Sequence, residues 1–179
     1  MKNPITPAFL TTAALVTLTG CSSYEGASPA EFAKSSCEQM DKVYAAEEAT
    51  ITAISETADA SDAARTAINT STQDVITAIA NAKTEIAKVK PAVKDGDNIV
   101  GYFNTYFDAR SQAITEALAT FDSAAQTEDI TDFLNANIAL GDVLMSEDDL
   151  TFPYAEITDQ KIVGAVDDES ACDQIVQVY

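Results

Sequence analysis

Ile68, Val75, Ala82 and Val89 stand seven residues apart, and Thr72, Ile79, Ile86 and Val93 form a second series of the same period. The two interleave at steps of three and four, which places both on one stripe of an α-helix. So regular a seam wants to lie along another helix. The rest of the chain must then supply helical partners, and their own signals are legible.

Ser28, Pro29 and Glu31 form a capping box, with the proline at the first helical position where its missing N–H does no harm. Apolar or small residues recur at Cys37, Met40, Tyr44, Ile51, Ile54 and Ala58, which predicts a helix to about Thr57. The stretch ADASDAA holds a turn or weak bend before the seam helix. Pro91 ends that helix near Lys90 and leaves Val93 to the turn, where Lys94 to Asn98 (KDGDN) is turn chemistry. A third helix starts near Asp97 with Phe103, Phe107, Ile114, Leu118 and Phe121 as its stripe. After a break at Gln126 to Asp129, a fourth carries Ile130, Phe133, Leu134, Ile138 and Leu144. From Ser146 the chain reads as an extended acidic crossing with Pro153. An apolar patch at Ile162 to Val166 follows, then a short helix with Cys172, Ile175 and Val176 on one side. The expected fold class is therefore all-α: an elongated antiparallel helical bundle of about four helices with an irregular C-terminal segment. Frequent threonine runs mildly against helices, because β-branching lowers helix propensity.

The amino terminus tells a separate story. Lys2 precedes an apolar stretch from Ala8 to Leu18, too short to span a bilayer, which needs about 20 apolar residues. It ends in Leu18-Thr19-Gly20-Cys21, which resembles the lipobox of bacterial lipoproteins: an aliphatic residue, a small one, Gly or Ala, then Cys. The resemblance covers the first 21 residues only. It implies diacylglyceryl transfer to the Cys21 sulfur, cleavage before Cys21 and anchorage in a membrane, where one acyl chain binds marginally and two hold firmly. The domain expectation is a cleaved signal over 1–20, a tether over 21–27 and one helical domain over 28–179.

Removing residues 1–20 from the 179 leaves 159 residues, nine cations and 29 acids, a net charge of −20. Such a balance excludes nucleic acid, whose binding depends on neutralising phosphates. It also holds the body off anionic lipid over a Debye length of about 8 Å, and keeps an exported protein soluble. Outside the cytoplasm Cys37 and Cys172 are expected to oxidise. An intrachain bond would close a loop of 135 positions; two free thiols or an intermolecular pair are the other arrangements.

The chain has no histidine. That removes Ser-His-Asp and Cys-His catalysis and HExxH zinc sites. Paired carboxylates are the remaining catalytic option. Asp95-Gly96-Asp97-Asn98, Glu147-Asp148-Asp149 and Asp167-Asp168-Glu169 are acidic clusters, but none has the alternating ligands of a calcium loop, so no metal and no cofactor are expected. Lys83, Lys88, Lys90 and Lys94 read as complements to a helix C-terminus, with a lipid- or polymer-facing patch as the alternative. Tyr102, Phe103, Tyr106 and Phe107 cover a broad helical face, read first as core and second as a groove for an apolar or aromatic ligand.

The expected function is a non-catalytic binding or interaction module of the cell envelope, anchored through Cys21 and meeting an envelope protein partner. The alternatives are a ligand-binding accessory to transport or envelope assembly that uses the Tyr102–Phe107 face, and a carboxylate-dependent wall hydrolase.

Overall fold

Three long helices set the frame of the computed structural model, which describes residues 24–56, 61–125, 129–146 and 152–176. They are α1 (Pro29–Glu56), α2 (Asp62–Lys88) and α3 (Gly96–Ala124), followed by the shorter α4 (Ile130–Met145). At 1.5 Å per residue α1, α2 and α3 are each about 40 Å long and α4 about 24 Å. The expected signal, Cys21, Ala58, the Glu147-Asp148-Asp149 cluster and the Val176 side chain lie outside the described residues.

Side-chain caps start α1, α2 and α4, whereas Asp95 at the head of α3 makes no side-chain cap. Ser28 N–H donates to Glu31 Oε2 at 2.9 Å and Glu31 N–H returns to Ser28 Oγ at 3.3 Å, the capping box in full. Those Ser28 donors, backbone first and hydroxyl second, hold the Glu31 carboxyl below its ordinary range. Ser61 accepts from Ala64 N–H at the head of α2, and Asp129 from Thr131 N–H at the head of α4, which lowers the Asp129 pKa in the same way. The threonines are accommodated by back-bonding: Thr66, Thr77, Thr84, Thr105, Thr115 and Thr120 each donate to the carbonyl four residues earlier.

Side-chain pairs fix the directions. Asn69 of α2 bonds Asp122 of α3, and Lys83 bonds Asp108, so fourteen residues forward on one helix match fourteen back on the other. Phe121 against Phe133, and Arg110 against the end of α4, make α3 and α4 antiparallel too. α4 also packs on α1, which closes the four-helix ring. The seam is the core of α2: Ile68, Thr72, Val75, Ile79, Ala82 and Ile86 are all buried.

The phase of α4 differs from expectation. Its buried face is Phe133, Ala136, Asn137, Leu140, Gly141 and Leu144, while Ile130 (54 % exposed), Leu134 (41 %) and Ile138 (62 %) point outward. Of the expected stripe Phe133 and Leu144 are buried, but the rest of the inner face is Ala136, Asn137, Leu140 and Gly141, with Gly141 over Ile54 of α1. An outward apolar stripe, completed by Met145, results.

α4 covers only the far half of the frame. The near half is closed by the C-terminal segment: a 3₁₀ turn (Pro153–Glu156), α5 (Gln160–Asp168), a second 3₁₀ turn (Ser170–Cys172) and α6 (Asp173–Val176). The expected apolar patch at Ile162 to Val166 is thus a helix, started by Asp159 accepting from Lys161 N–H. This segment packs on α1 and is joined to it by the Cys37–Cys172 disulfide. At the same end Ala27 pairs with the α2–α3 turn, donating to Lys90 O and accepting from Ala92 N–H, both at 2.8 Å.

Candidate functional site

Phe103, Tyr106 and Phe107 are buried and Tyr102 is half-buried, so the aromatic face of α3 lies within or against the core. What covers it is the chain itself. Phe152 stacks edge-on to Tyr106 with ring centroids 6.2 Å apart, and Tyr154 edge-on to Phe103 at 5.0 Å. Phe32 of α1 meets Phe103 from the other side at 5.8 Å. T-shaped contacts of this kind contribute about 0.5–1.5 kcal/mol each beyond area burial.

One layer further out, between these rings and α5, is a cavity of about 240 Å³. Phe152, Tyr154, Ala155 and Ile157 wall it on one side; Ile162, Val163, Val166 and Asp167 of α5 wall it on the other. None of the four α3 aromatics lines it. The Tyr154 hydroxyl turns away from the cavity, donating to Ser36 Oγ at 2.7 Å and lying 3.1 Å from Cys37 Sγ. Burial pushes that hydroxyl above the ordinary phenol range, against a smaller opposing pull from Ser36, so it stays a neutral donor. The hydroxyl is thus engaged on α1. The cavity's position is fixed by two links into α1, the Ser36 hydrogen bond and the disulfide one residue along.

A second constellation lies at mid-bundle. Arg110, 2 % exposed, donates Nε to Glu47 Oε1 at 2.8 Å; Glu47 is itself 4 % exposed. Its other nitrogens donate to the carbonyls of Val143 and Ser146 at 2.7 Å and of Leu144 at 2.6 Å. One guanidinium thus caps the C-terminal carbonyls of α4 and ties them to α1, meeting both their hydrogen-bond need and the negative end of the helix dipole. The sequence did carry a signal for it. Arg110 fills the gap between Phe107 and Ile114 in the α3 stripe, and Glu47 the gap between Tyr44 and Ile51 in the α1 stripe. Opposite charges stand at two seam positions. Glu47 is the buried carboxylate among the described residues, and it is paired with this arginine.

The lysines are drawn into ion pairs: Lys83 with Asp108, Lys88 with Glu85 at 2.6 Å, and Lys90 with Asp97 at 3.1 Å. Lys94 is exposed in the α2–α3 turn. Among the described residues no group of three His, Cys, Asp or Glu is placed to hold a metal ion, and no helix is long and apolar enough to cross a membrane. Comparison with protein-family models, curated proteins and solved structures gives no match.

Proposed function

We propose that the protein is an extracytoplasmic lipoprotein, anchored through diacylglyceryl-Cys21, whose helical body is a non-catalytic binding module that receives an apolar group between the Pro153–Glu156 turn and α5. One observation carries the binding reading: an open, apolar cavity persists where the rest of the C-terminal segment closes over the core. Its size suits one apolar group. A cavity of about 150 Å³ accepts benzene, and pockets for drug-sized ligands begin at about 300 Å³. The ligand is accordingly one ring or a short alkyl branch, free or displayed by an envelope partner.

The anchoring reading rests on Leu18 to Cys21. With Ala27 pinned to the α2–α3 turn, Cys21 is separated from it by at most about 20 Å of stretched chain. That end of the bundle is then the one nearest the bilayer, and it is also the end where the α2–α3 lysines dilute the chain's acidity.

Two experiments test the two halves. Cys21→Ser abolishes acyl labelling and membrane retention; retention without label refutes the anchor. Saturation-transfer NMR with 2-phenylethanol shows saturable binding to the mature chain. Val163→Trp, which fills the cavity, and Ala155→Trp, placed at its exposed rim, each remove that binding while the helical circular dichroism is kept. Absence of binding to the wild-type chain, or undiminished binding to both folded variants, refutes the cavity reading.

A further inference from the structure

We infer that the cavity selects a cationic ligand: an aromatic ring or short alkyl group carrying an ammonium on an arm of two or three carbons, with Asp167 as its counter-ion. This rests on the reading that the cavity is a binding site and adds the charge of what binds.

The inference begins with what the walls cannot do. Phe152, Ala155, Ile157, Ile162, Val163 and Val166 offer no polar side-chain atom, and the one hydroxyl nearby, on Tyr154, is turned to Ser36. These residues select for size and apolarity but not for chemistry. Among the described lining residues only Asp167 is charged. It follows the buried Val166 on α5 and is exposed, so the one charged wall residue is on the solvent side of its neighbour. A ligand whose apolar end is buried against Val166 and Ile162 can place its other end beside Asp167.

Two further features give the mouth the same sign. Asp167 lies in the last turn of α5, which ends at Asp168, and the C-terminus of a helix carries a partial negative charge. Asp168 and Glu169 follow directly, both outside any ion pair with the described lysines and arginines, and the whole chain is strongly acidic. An anionic group placed here meets repulsion from side chain, dipole and net charge together, and a neutral one gains nothing beyond its buried area. An ammonium gains from all three. Since the pair is solvent-exposed, its effect is a few-fold in affinity rather than orders of magnitude, and added salt weakens it.

The test uses three probes that share a phenyl ring and a short arm: 2-phenylethylamine, 2-phenylethanol and 3-phenylpropanoate, each titrated into the mature chain by NMR at pH 7 and low salt. The amine is expected to bind about 3- to 5-fold more tightly than the alcohol, and the carboxylate more weakly than either. Asp167→Asn brings the amine to the affinity of the alcohol and leaves the alcohol where it was. Equal binding of amine and alcohol, or an amine preference that survives Asp167→Asn, overturns the inference while leaving the cavity reading intact. Binding by none of the three overturns the cavity reading and this inference with it.

Discussion

Replacing Arg110 with methionine strips one guanidinium from a site where three backbone carbonyls and a carboxylate converge. The largest consequence is electrostatic. Glu47 stays almost wholly buried without the cation it was folded around, and breaking a buried pair by removing one partner costs about 3–5 kcal/mol. The Leu144 carbonyl, bonded on a buried residue, adds about 1–3 kcal/mol, whereas Val143 and Ser146 are nearer the surface and can turn to water. The two effects overlap, so a loss of about 4–6 kcal/mol is expected, much of a typical total of about 5–15 kcal/mol. Arg110→Met combined with Glu47→Leu removes both charges of the pair, since apolar replacement of both partners is often neutral or better, and recovers at least about 2 kcal/mol. The assay is urea unfolding followed by far-ultraviolet circular dichroism, because the chain contains no tryptophan to report by fluorescence. With a slope of about 2 kcal/mol per molar, the single variant shifts the midpoint by about 2–3 M. A loss below about 2 kcal/mol, or a double variant no more stable than the single one, refutes the reasoning.

Removing the Cys37–Cys172 bond by paired alanine substitution opens a loop of 135 positions and is expected to lower stability by up to about 5 kcal/mol, read by urea unfolding; two alkylatable thiols at these positions in denatured, unreduced protein would show that the bond is not made. Gly26→Ala is expected to unstitch the tether from the α2–α3 turn. Gly26 has φ +149°, and a Cβ there would stand 2.2 Å from Lys90 O, so the Ala27 and Ala92 amides should lose protection from hydrogen exchange; unchanged protection counts against this. Glu31 has a lowered pKa, so its capping contribution is complete above the unfolded value of 4.5 and disappears as pH falls through the folded one. An NMR titration should therefore show the Ser28 amide losing its hydrogen-bonded shift only below pH 4.5, and loss beginning well above that value would argue against the box.

Features settled within a few residues of one another were legible in the sequence. The capping box needs only Ser28 to Glu31, the seam only a period of seven, and the end of α2 only Pro91. The Cys37–Cys172 pairing was legible because few cysteines leave few partners. The phase of α4 was not, because hydrophobic bulk at Ile130, Leu134 and Ile138 is a poor guide where a helix approaches its neighbours through Ala136 and Gly141. Arg110 and Glu47 were visible only as gaps in two stripes sixty-three positions apart, and only the fold shows that the gaps face each other. The cavity was the least legible feature. Its walls come from a 3₁₀ turn and a nine-residue helix, too short to display a period, and their apolar residues are spaced as core residues would be.

That the cavity belongs to the C-terminal segment follows from how little these elements can do alone. A nine-residue helix and two single 3₁₀ turns are below the length at which a helix persists in water, about 12–15 residues. Their order is imposed from α1, by the disulfide at Cys37 and by Tyr154 on Ser36, one residue apart. The α1–α4 part has contacts of its own besides, through the α2 seam and the Arg110 cap. The molecule is thus a four-helix frame carrying a covalently fastened wall, and the space between the wall's own two faces is where packing stays incomplete. On the proposed reading, a ligand that bridges the Pro153–Glu156 turn and α5 would supply the contacts these faces fail to give each other.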